Sequence, residues 1–570
     1  MPTIDYPTAP TSDQVDDYHG TRIADPYRPL EDSDSPESRE WIAAQNALTE
    51  RILAEIPARR VIRERLAQVW DYPRAGAPWR RGDRWFQMRN TGLQDQDVLF
   101  VADAPDSEGQ PLIDPNLLSA DGTTALSAVE ASDDGTRIAY ATSDAGSDWR
   151  TWRVRDVASG EDLPDRIDWS KFAEAAWTGD GAGFFYGLYP EPPAGAAYDA
   201  PNLDMELRYH RLGTAQSDDP VVLARPDEPE WGFEPDVTDD GRLLTIIVWR
   251  GTDPENRLYV ADLTRGVDAL EVNPLIDVPD ASYLPIAAID GTLYVHTDHE
   301  APNGRIVAID VASGERREVV AEGPDALEMA KLVGDRLALV YLHDASHRLA
   351  IHELDGTLVF EPRLPGIGSI AGLSGRREDP DLYLTFATFA APASVLAVRM
   401  ADGTVTPAAG ANLAWSPGDF VTEQVFAESA DGTRIPLFLT HRRDVTASGE
   451  VPTLLYGYGG FQVAIGPMFK PEWLAWMERG GLLAVASLRG GAEYGKAWHD
   501  AGRLDNKQNV FDDFAACARW LASSGWTDAA HLGILGRSNG GLLVGASITQ
   551  HPELFGAAVA EVGVMDMLRF

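Results

Sequence analysis

Residues 532–546 read LGILGRSNGGLLVGA, two apolar runs joined by a glycine-rich turn with a single serine at its centre. The first run, residues 532–535, predicts a short buried strand, and residues 542–548 predict the start of a helix. A serine between glycines at such a junction fits the G-x-S-x-G elbow, in which a tight turn presents the hydroxyl and small neighbours let the backbone approach. An ordinary glycine-rich turn is the alternative, so the surrounding sequence has to decide.

The sequence from about residue 418 alternates predicted strands with predicted helices. The segments that carry this pattern are VPTLLYGYGGF (451–461), PEWLAWMERG (471–480), GLLAVASLRGG (481–491) and VFDDFAACARWLASSG (510–525). Such alternation is typical of an α/β sheet with a largely parallel strand order. Ser538 then lies where a hydrolase of this class presents its nucleophile, which favours the elbow.

The middle of the chain follows a longer repeat. After two predicted helices within residues 1–70, residues 71–417 consist of short strands separated by Asp-Gly and Gly-Asp turns. The turn glycines at 135, 181, 241, 291 and 334 are 46, 60, 50 and 43 residues apart, which is typical of four-stranded propeller blades. This spacing predicts about seven blades. A large β-sandwich is the alternative, but it does not require the long repeat.

Length and composition indicate a large globular protein. The 570 residues, 44% of them hydrophobic, suggest two to four domains. The N-terminus lacks the basic and apolar regions of a signal peptide, and no segment approaches the ~18 apolar residues that span a bilayer, so we expect a cytoplasmic protein. Cys517 is the only cysteine and falls in a predicted helix, which indicates a buried thiol and excludes an intramolecular disulfide.

The charge balance argues against several classes of partner. The formal net charge is −41, with 43 arginines but only five lysines among the basic residues. A surface of this sign repels phosphate groups, so we expect neither nucleic acid nor a membrane as partner. The chain contains no Walker A lysine motif and no H-E-x-x-H, and the G-D-G-A-G at residues 179–183 lacks a strand-then-helix context, which predicts a blade turn. We therefore predict no cofactor, nucleotide or metal site.

Several motifs, taken together and in order, resemble the prolyl oligopeptidase family of serine endopeptidases that cut after proline. They are DYHGTRIADPYRPLED (17–32), NTGLQDQDVLF (90–100), LLYGYGGF (454–461), RGGAEYGKAWH (489–499), DNKQNVFDDF (505–514) and GRSNGGLLVG (536–545). Oligopeptidase B and acylaminoacyl peptidase fit less well. The resemblance implies an α/β hydrolase domain plus a seven-bladed β-propeller: residues 1–70 form a helical segment that packs with the hydrolase domain, 71–417 the propeller and 418–570 the hydrolase domain.

The resemblance also assigns roles at the elbow. Ser538 would attack the peptide carbonyl, and the backbone N–H of Asn539 and the phenol of Tyr458 would stabilise the resulting oxyanion. Phe461 and Val564 would line the pocket for the proline ring, because flat apolar surface suits a pyrrolidine. Ordinary core packing is the alternative for both apolar residues, and a core aromatic is the alternative for Tyr458.

The remainder of a catalytic triad is not evident. The elbow fold places the aspartate and then the histidine after the serine, and the residues after Ser538 contain only His551 and Asp566 of these types. His551 is predicted just past the helix that leads away from Ser538, and Asp566 precedes no histidine. We therefore expect the acid and base to lie beyond Phe570, the hydrolase sheet to be incomplete in this chain, and the chain to be a fragment with little activity of its own.

Two functional hypotheses follow. The first is a cytoplasmic, monomeric serine endopeptidase of the prolyl oligopeptidase type, whose partners are short proline-containing peptides. The second is a non-catalytic propeller protein with a vestigial hydrolase half that acts as a binding module. A related oligopeptidase with a different preference for the residue before the scissile bond is a variant of the first.

Overall fold

The computed structural model describes residues 4–193 and 201–569 and divides into two compact units, residues 1–69 and residues 70–570. The first unit contains a hairpin of β1 (Val15–Tyr18) and β2 (Thr21–Ala24) and helix α1 (Pro36–Ala54), and helix α2 (Arg59–Trp70) follows. Helix α1 begins after Ser35, whose side chain accepts a hydrogen bond from Ser38 N, with a proline in the first turn. Both helices were predicted, whereas the hairpin was not. No helix in the described ranges is long and apolar enough to cross a bilayer.

Seven separate antiparallel sheets follow, and they are the blades of a β-propeller. Their strands are, in blade 1, β3 (Arg74–Ala75), β4 (Trp79–Arg81), β5 (Arg84–Asn90), β6 (Val98–Ala102) and β7 (Gln110–Ile113); in blade 2, β8 (Thr124–Ala131), β9 (Arg137–Asp144), β10 (Arg150–Asp156) and β11 (Asp162–Ser170); in blade 3, β12 (Ala176–Trp177), β13 (Gly183–Leu188), β14 (Glu206–Arg211) and β15 (Val221–Ala224); in blade 4, β16 (Trp231–Val237), β17 (Leu243–Arg250), β18 (Arg257–Asp262) and β19 (Asn273–Ile276); in blade 5, β20 (Tyr283–Ile289), β21 (Thr292–Thr297), β22 (Arg305–Asp310) and β23 (Arg316–Val320); in blade 6, β24 (Ala326–Val333), β25 (Arg336–His343), β26 (Ser346–Glu353) and β27 (Leu358–Phe360); and in blade 7, β28 (Ser369–Ser374), β29 (Asp381–Ala387), β30 (Ser394–Arg399) and β31 (Val405–Ala409).

The predicted turn glycines occupy equivalent places in successive blades. Each lies between the first and second strand of blades 2 to 6, with φ between 59° and 80°. Glycine adopts this left-handed backbone without the strain that a Cβ adds. The repeat in the sequence therefore corresponds to one blade, and the seven-bladed propeller that it predicted is confirmed.

The ring closes through side chains. Blades 1 and 7 belong to different sheets, and β3 of blade 1 contacts β30 of blade 7. Trp85 packs edge-on against Tyr383, with ring centroids 5.5 Å apart, and Arg80 pairs with Asp379. No strand pairing joins these two blades within the described ranges.

The last part of the chain forms a six-stranded sheet flanked by helices. Its elements are β32 (Phe420–Glu428), β33 (Arg434–Arg442), β34 (Thr453–Tyr456), α3 (Pro471–Glu478), β35 (Leu482–Ala486), α4 (Gly495–Asp500), α5 (Gln508–Ser523), β36 (Leu532–Arg537), α6 (Asn539–Gln550) and β37 (Ala557–Glu561). Short 3-10 turns occur along the chain at Arg28–Glu31, Pro115–Leu117, Gln216–Asp218, Val267–Ala269, Pro417–Asp419, Leu504–Asn506 and Pro552–Leu554.

The strand order is β32-β33-β35-β34-β36-β37, and the four strands from β35 to β37 run parallel. Every residue of β35 is buried, as expected for a parallel strand covered by helices on both faces. Cys517 on α5 is fully buried in the same core, as predicted. Strand β37 and helix α4 were not predicted, and all five residues of β37 are exposed. This α/β sheet places Ser538 at the carboxyl end of β36.

Candidate active site

Ser538 occupies a strained turn between β36 and α6. Its φ of 58° and ψ of −117° lie in a region that side chains other than glycine rarely adopt. Ser538 N donates to Glu561 O at 2.9 Å, and Ser538 O accepts from Gly541 N at 2.8 Å. The backbone of the serine is therefore fixed from both sides, while its side chain is exposed. This is the conformation that the elbow requires.

The glycines around Ser538 are required by close backbone contacts. A Cβ on Gly536 would lie 2.1 Å from Gly540 O, and one on Gly540 would lie 2.7 Å from Gly457 O. A Cβ on Gly541 would lie 2.6 Å from the Cα of Gly563. In these contacts the first turn of α6 packs directly against β36, the loop after β34 and the segment after β37. No space remains for a side chain at these three positions, which explains why each of them is glycine.

The two predicted oxyanion donors lie beside the elbow. Asn539 is the first residue of α6, where N–H groups lack an acceptor within the helix, and its N–H donates to none of the described residues. The loop of Tyr458 packs on the same turn, because a Cβ on Gly540 would lie 3.7 Å from Tyr458 Cδ2. The Tyr458 hydroxyl also has no hydrogen-bond partner in the described ranges. Neither group therefore has an acceptor among the described residues.

A lysine connects these two segments. Lys507 Nζ donates to Gly459 O at 2.7 Å and to Asn539 Oδ1 at 3.1 Å. Asn539 Nδ2 in turn donates to Tyr458 O at 2.6 Å. Burial lowers the pKa of Lys507 to about 8, since removing an ammonium from water disfavours its charged form. Lys507 belongs to the DNKQN motif, whose sequence pattern alone indicates no role for the lysine.

Phe461 and Val564 each follow a glycine that packs on the first turn of α6. A Cβ on Gly460 would lie 2.5 Å from Asn539 Nδ2, and Gly563 contacts Gly541 as described above. Phe461 has a φ of 53° and its side chain is 59% exposed, whereas Val564 is half-buried. The structure thus brings both residues to the elbow. The exposure of Phe461 argues against simple core packing for that side chain.

The histidines of this region are engaged away from Ser538. His551 follows α6, whose 12 residues place it about 18 Å along the helix axis from Ser538. Its Nδ1 lies 3.5 Å from Glu553 Oε1. His531 pairs with Asp528 at the opposite end of β36. No hydrogen bond joins Ser538 Oγ to a histidine within the residues that the structure describes.

Two further histidines within residues 418–570 also contact groups other than Ser538. His441 on β33 lies against the ring of Trp526, with centroids 4.8 Å apart, and His499 Nδ1 lies 2.8 Å from Gly490 O. Asp566 is exposed and accepts from the backbone of the turn that follows it, with Leu568 N at 3.1 Å. None of these groups forms the remainder of a triad with Ser538.

A buried glutamate supports the loop after Phe461. Glu493 is 1% exposed, and its Oε1 accepts from Ile465 N at 2.8 Å. Burial raises its pKa to about 8, because removing a carboxylate from water disfavours its charged form, and this favours the neutral carboxyl group at pH 7. The sequence did not indicate that Glu493 is buried, because its motif also contains the charged residues Arg489 and Lys496 and nothing in their spacing distinguishes Glu493 from them.

A cavity of about 520 Å³ lies between this loop and the propeller. Its lining includes Glu328 and His347 of blade 6 and Ala464, Gly466 and Phe469 of the loop. Ser538 is not part of the lining. The cavity therefore adjoins the candidate site and does not contain its nucleophile.

The propeller also contacts the hydrolase region through side chains. Tyr494 Oη donates to Asp344 Oδ1 at 2.8 Å, and Lys496 Nζ lies 2.7 Å from Glu255 Oε1. Lys496 N donates to Pro302 O at 2.8 Å. Loops of blades 4, 5 and 6 thus meet the segment that precedes and begins α4.

Comparison with protein families gives two matches along the chain. Residues 7–410 match a model described as prolyl oligopeptidase, N-terminal beta-propeller domain, and residues 467–570 match the prolyl oligopeptidase family. The chain is 35% identical over 571 residues to a prolyl endopeptidase of Elizabethkingia meningoseptica, covering all of this chain and 80% of that protein. It is 34% identical over 611 residues to prolyl oligopeptidase A of Amanita bisporigera, covering 99% of this chain and 80% of that protein.

Solved structures give the same result. A structure from an analysis of two prolyl endopeptidases superposes with a TM-score of 0.93 at 38% identity, covering 99% of this chain and 83% of that one. Prolyl oligopeptidase B of Galerina marginata, bound to a 35-residue substrate for hydrolysis and macrocyclisation, also has a TM-score of 0.93, at 30% identity and with 99% and 83% coverage.

Proposed function

This chain belongs to the prolyl oligopeptidase family of serine peptidases, and from that premise we propose that it carries the nucleophile and oxyanion hole of an endopeptidase that cuts short peptides after proline. Ser538 is the proposed nucleophile. Asn539 N–H and the Tyr458 phenol are the proposed oxyanion donors, and Phe461 and Val564 are the proposed walls of the proline pocket.

One observation carries this proposal: an exposed serine with φ 58° at the carboxyl end of a parallel strand, next to two donors that have no acceptor among the described residues. The oxyanion of a tetrahedral intermediate at Ser538 would accept hydrogen bonds from both donors. Donors that are already in place need no reorganisation when the negative charge forms, which is the main source of catalysis in such sites.

The proposed substrate class rests on two features. Phe461 offers an exposed aromatic surface beside the elbow, which suits the flat apolar ring of proline. Loops of the propeller cover the segment around α4, as the contacts of Asp344 and Glu255 show. We propose that this cover admits short peptides and excludes folded proteins.

The chain by itself should hydrolyse peptides slowly. No described histidine is bonded to Ser538, and Lys507 donates to Gly459 O and Asn539 Oδ1 instead of to the serine. Without a base, the hydroxyl stays neutral and weakly nucleophilic. Removal of the histidine from a serine triad lowers the rate by several powers of ten, and in subtilisin by about 10⁶.

The test is an assay on a chromogenic Gly-Pro substrate with four samples. They are the chain alone, its Ser538→Ala variant alone, and each of these two mixed with the C-terminal segment of the Elizabethkingia enzyme as a separate polypeptide. We expect activity only in the mixture, and Ser538→Ala should abolish it there. Strong turnover by the chain alone that Ser538→Ala abolishes would show that a base, His551 included, lies within these residues. Turnover in the mixture that survives Ser538→Ala would refute the nucleophile assignment.

The proposed size restriction has its own test. Under conditions that give turnover, a proline-containing peptide of ten residues is compared with a denatured protein of several hundred residues. We expect preferential cleavage of the peptide. Equal cleavage rates per proline would contradict exclusion by the propeller.

A further inference from the structure

We propose that Lys507 is a positioning residue of the peptidase reaction: its ammonium group holds together residues 458–460 and the first turn of α6, the two segments that carry the oxyanion donors. The catalytic part of this proposal rests on the proposed function. Its structural part rests on the contacts of Lys507 alone.

The contacts form one connected set across three distant segments. Lys507 lies directly before α5 and donates to Gly459 O in the loop after β34 and to Asn539 Oδ1 in α6. The Asn539 side chain completes the set by donating to Tyr458 O. Each acceptor belongs to an oxyanion-donor residue or to its neighbour. A shift of either segment would therefore break a hydrogen bond of this set.

The surrounding packing leaves little room for a substitute contact. Gly460 lies so close to Asn539 that a Cβ would come within 2.5 Å of its Nδ2, and a Cβ on Gly459 would lie 2.3 Å from Val510 Cγ1. A lysine ammonium is compact and can direct its three donors toward acceptors on different segments, whereas arginine offers a planar fork. In a chain with 43 arginines and five lysines, the choice of lysine at this position is consistent with that requirement.

The charge of Lys507 has no anionic partner in the described ranges, since burial is the one cause of its lowered pKa and no carboxylate contributes. A half-buried cation without a carboxylate partner loses part of its hydration, and no ion pair compensates that loss. A role in the reaction explains why an ammonium group lies beside Asn539. It orients Asn539 and Tyr458, and its positive charge stabilises the negative charge that forms near them.

The structural part is tested by NMR on the chain as it stands, deuterated and labelled with ¹⁵N-asparagine. The backbone and side-chain amide signals of Asn539, assigned by their loss in Asn539→Asp, are compared between the wild type, Lys507→Met and Lys507→Arg. We expect Lys507→Met to shift or broaden both signals and Lys507→Arg to restore them in part. Lys470→Met, which removes another half-buried lysine, is the matched control and should leave them unchanged.

Unchanged Asn539 signals in a folded Lys507→Met variant would overturn the proposal. If circular dichroism shows that this variant does not fold, Lys507→Gln, which keeps an N–H donor, takes its place in the same comparison. Asn539 signals that are perturbed in Lys507→Gln and partly restored in Lys507→Arg would support the role of the cation at this position, whereas signals that match the wild type in Lys507→Gln would contradict it. Signals perturbed equally by Lys470→Met would count against a specific role.

The catalytic part is tested by steady-state kinetics under the conditions in which the wild type turns over the Gly-Pro substrate. Direct loss of an oxyanion donor lowers kcat about 10²–10³-fold, so we expect Lys507→Met to lower kcat about tenfold to a hundredfold, with KM changed less than about twofold and partial rescue in Lys507→Arg. An effect confined to KM, or none, would refute the positioning role. If the wild type shows no turnover in any sample, the proposed function fails, and the Asn539 signals still decide the structural part.

Discussion

The two sides of β36 differ sharply in how they are covered. On one side, β33, β34 and β35 form a continuous apolar core with α5, and Leu455 on β34 is completely buried. On the other side, β37 is the last strand of the sheet and all of its residues are exposed. Large apolar side chains on this strand and in the segment after it are 51–72% exposed, namely Val559, Val562, Met565, Met567 and Leu568.

The turn that carries Ser538 is therefore held by contacts to a buried part of the sheet on one side and to an exposed strand on the other. Gly457, Tyr458 and Lys507 belong to the well-packed side. The acceptor for Ser538 N, however, is Glu561 O, at the end of the exposed strand. The proposed oxyanion donors are therefore anchored to the well-buried part of the sheet, whereas the backbone of the proposed nucleophile is also anchored to the exposed strand β37.

The largest effect should come from the buried carboxyl group of Glu493. Its pKa is raised to about 8 in the folded chain, so between pH 4.5 and 8 the unfolded chain loses a proton that the folded chain keeps, and stability falls as the pH rises. At about 1.4 kcal/mol per pKa unit, the upper bound of this fall is about 5 kcal/mol. Glu493→Gln should remove it, as measured by urea unfolding from pH 4 to pH 9.

The control for this profile lies on the other side of β36. Glu561→Gln changes an exposed carboxylate on β37 and should leave the pH dependence of stability as it is in the wild type. A Glu493→Gln variant whose stability falls with pH as steeply as that of the wild type would show that Glu493 is already ionised at pH 7.

The next effect concerns the ion pair behind β35. Arg489 Nε donates to Asp513 Oδ2 at 2.9 Å, and Asp513 is fully buried. Arg489 also pairs with Asp431, so Asp513→Asn leaves the buried guanidinium with one carboxylate partner and should lower the free energy of unfolding by at most about 3–5 kcal/mol. Asp512→Asn, at the preceding position, should change it by less than about 0.5 kcal/mol. Equal values for the two variants in urea unfolding would contradict the assigned role of the pair.

A pair of apolar truncations compares the two sides directly. Leu455→Ala on β34 should cost about 2–5 kcal/mol, because it removes a fully buried side chain and leaves a cavity. Val559→Ala on β37 should cost no more than about 0.5 kcal/mol, since this side chain is 51% exposed. Comparable losses in chemical unfolding would mean that β37 is covered in solution.

The smallest effect is one of local opening. Strand β37 has one neighbouring strand and no buried residue, so its amides should exchange with solvent faster than those of β34. Hydrogen exchange followed by mass spectrometry measures this at peptide resolution. Equal protection of the two strands would show that β37 is as well protected from local opening as β34.

The sequence predicted those features that depend on local patterns. The elbow at Ser538 follows from glycine spacing between two apolar runs, and the blades follow from the repeated turn glycines. The hairpin in residues 15–24 escaped prediction because its strands have four residues each and alternate only weakly. The motif resemblance supplied Tyr458 and Phe461, which no periodicity singles out.

The remaining features depend on contacts between distant segments. Lys507 meets Gly459 and Asn539 over separations of 48 and 32 residues, and nothing in the DNKQN motif itself specifies those partners. The neutral state of Glu493 likewise depends on burial by segments that lie elsewhere in the chain. Such pairings are properties of the tertiary structure, so a single sequence does not reveal them.

The meeting of blades 1 and 7 through side chains has a mechanical consequence. A propeller whose first and last blades share a strand has a fixed circumference, because any widening breaks backbone hydrogen bonds. Here the junction consists of the Trp85–Tyr383 contact, the Arg80–Asp379 pair and their neighbours. These can separate while every blade stays intact, so widening the ring requires only that side-chain contacts break, and any ligand with higher affinity for a wider ring would shift the population toward it.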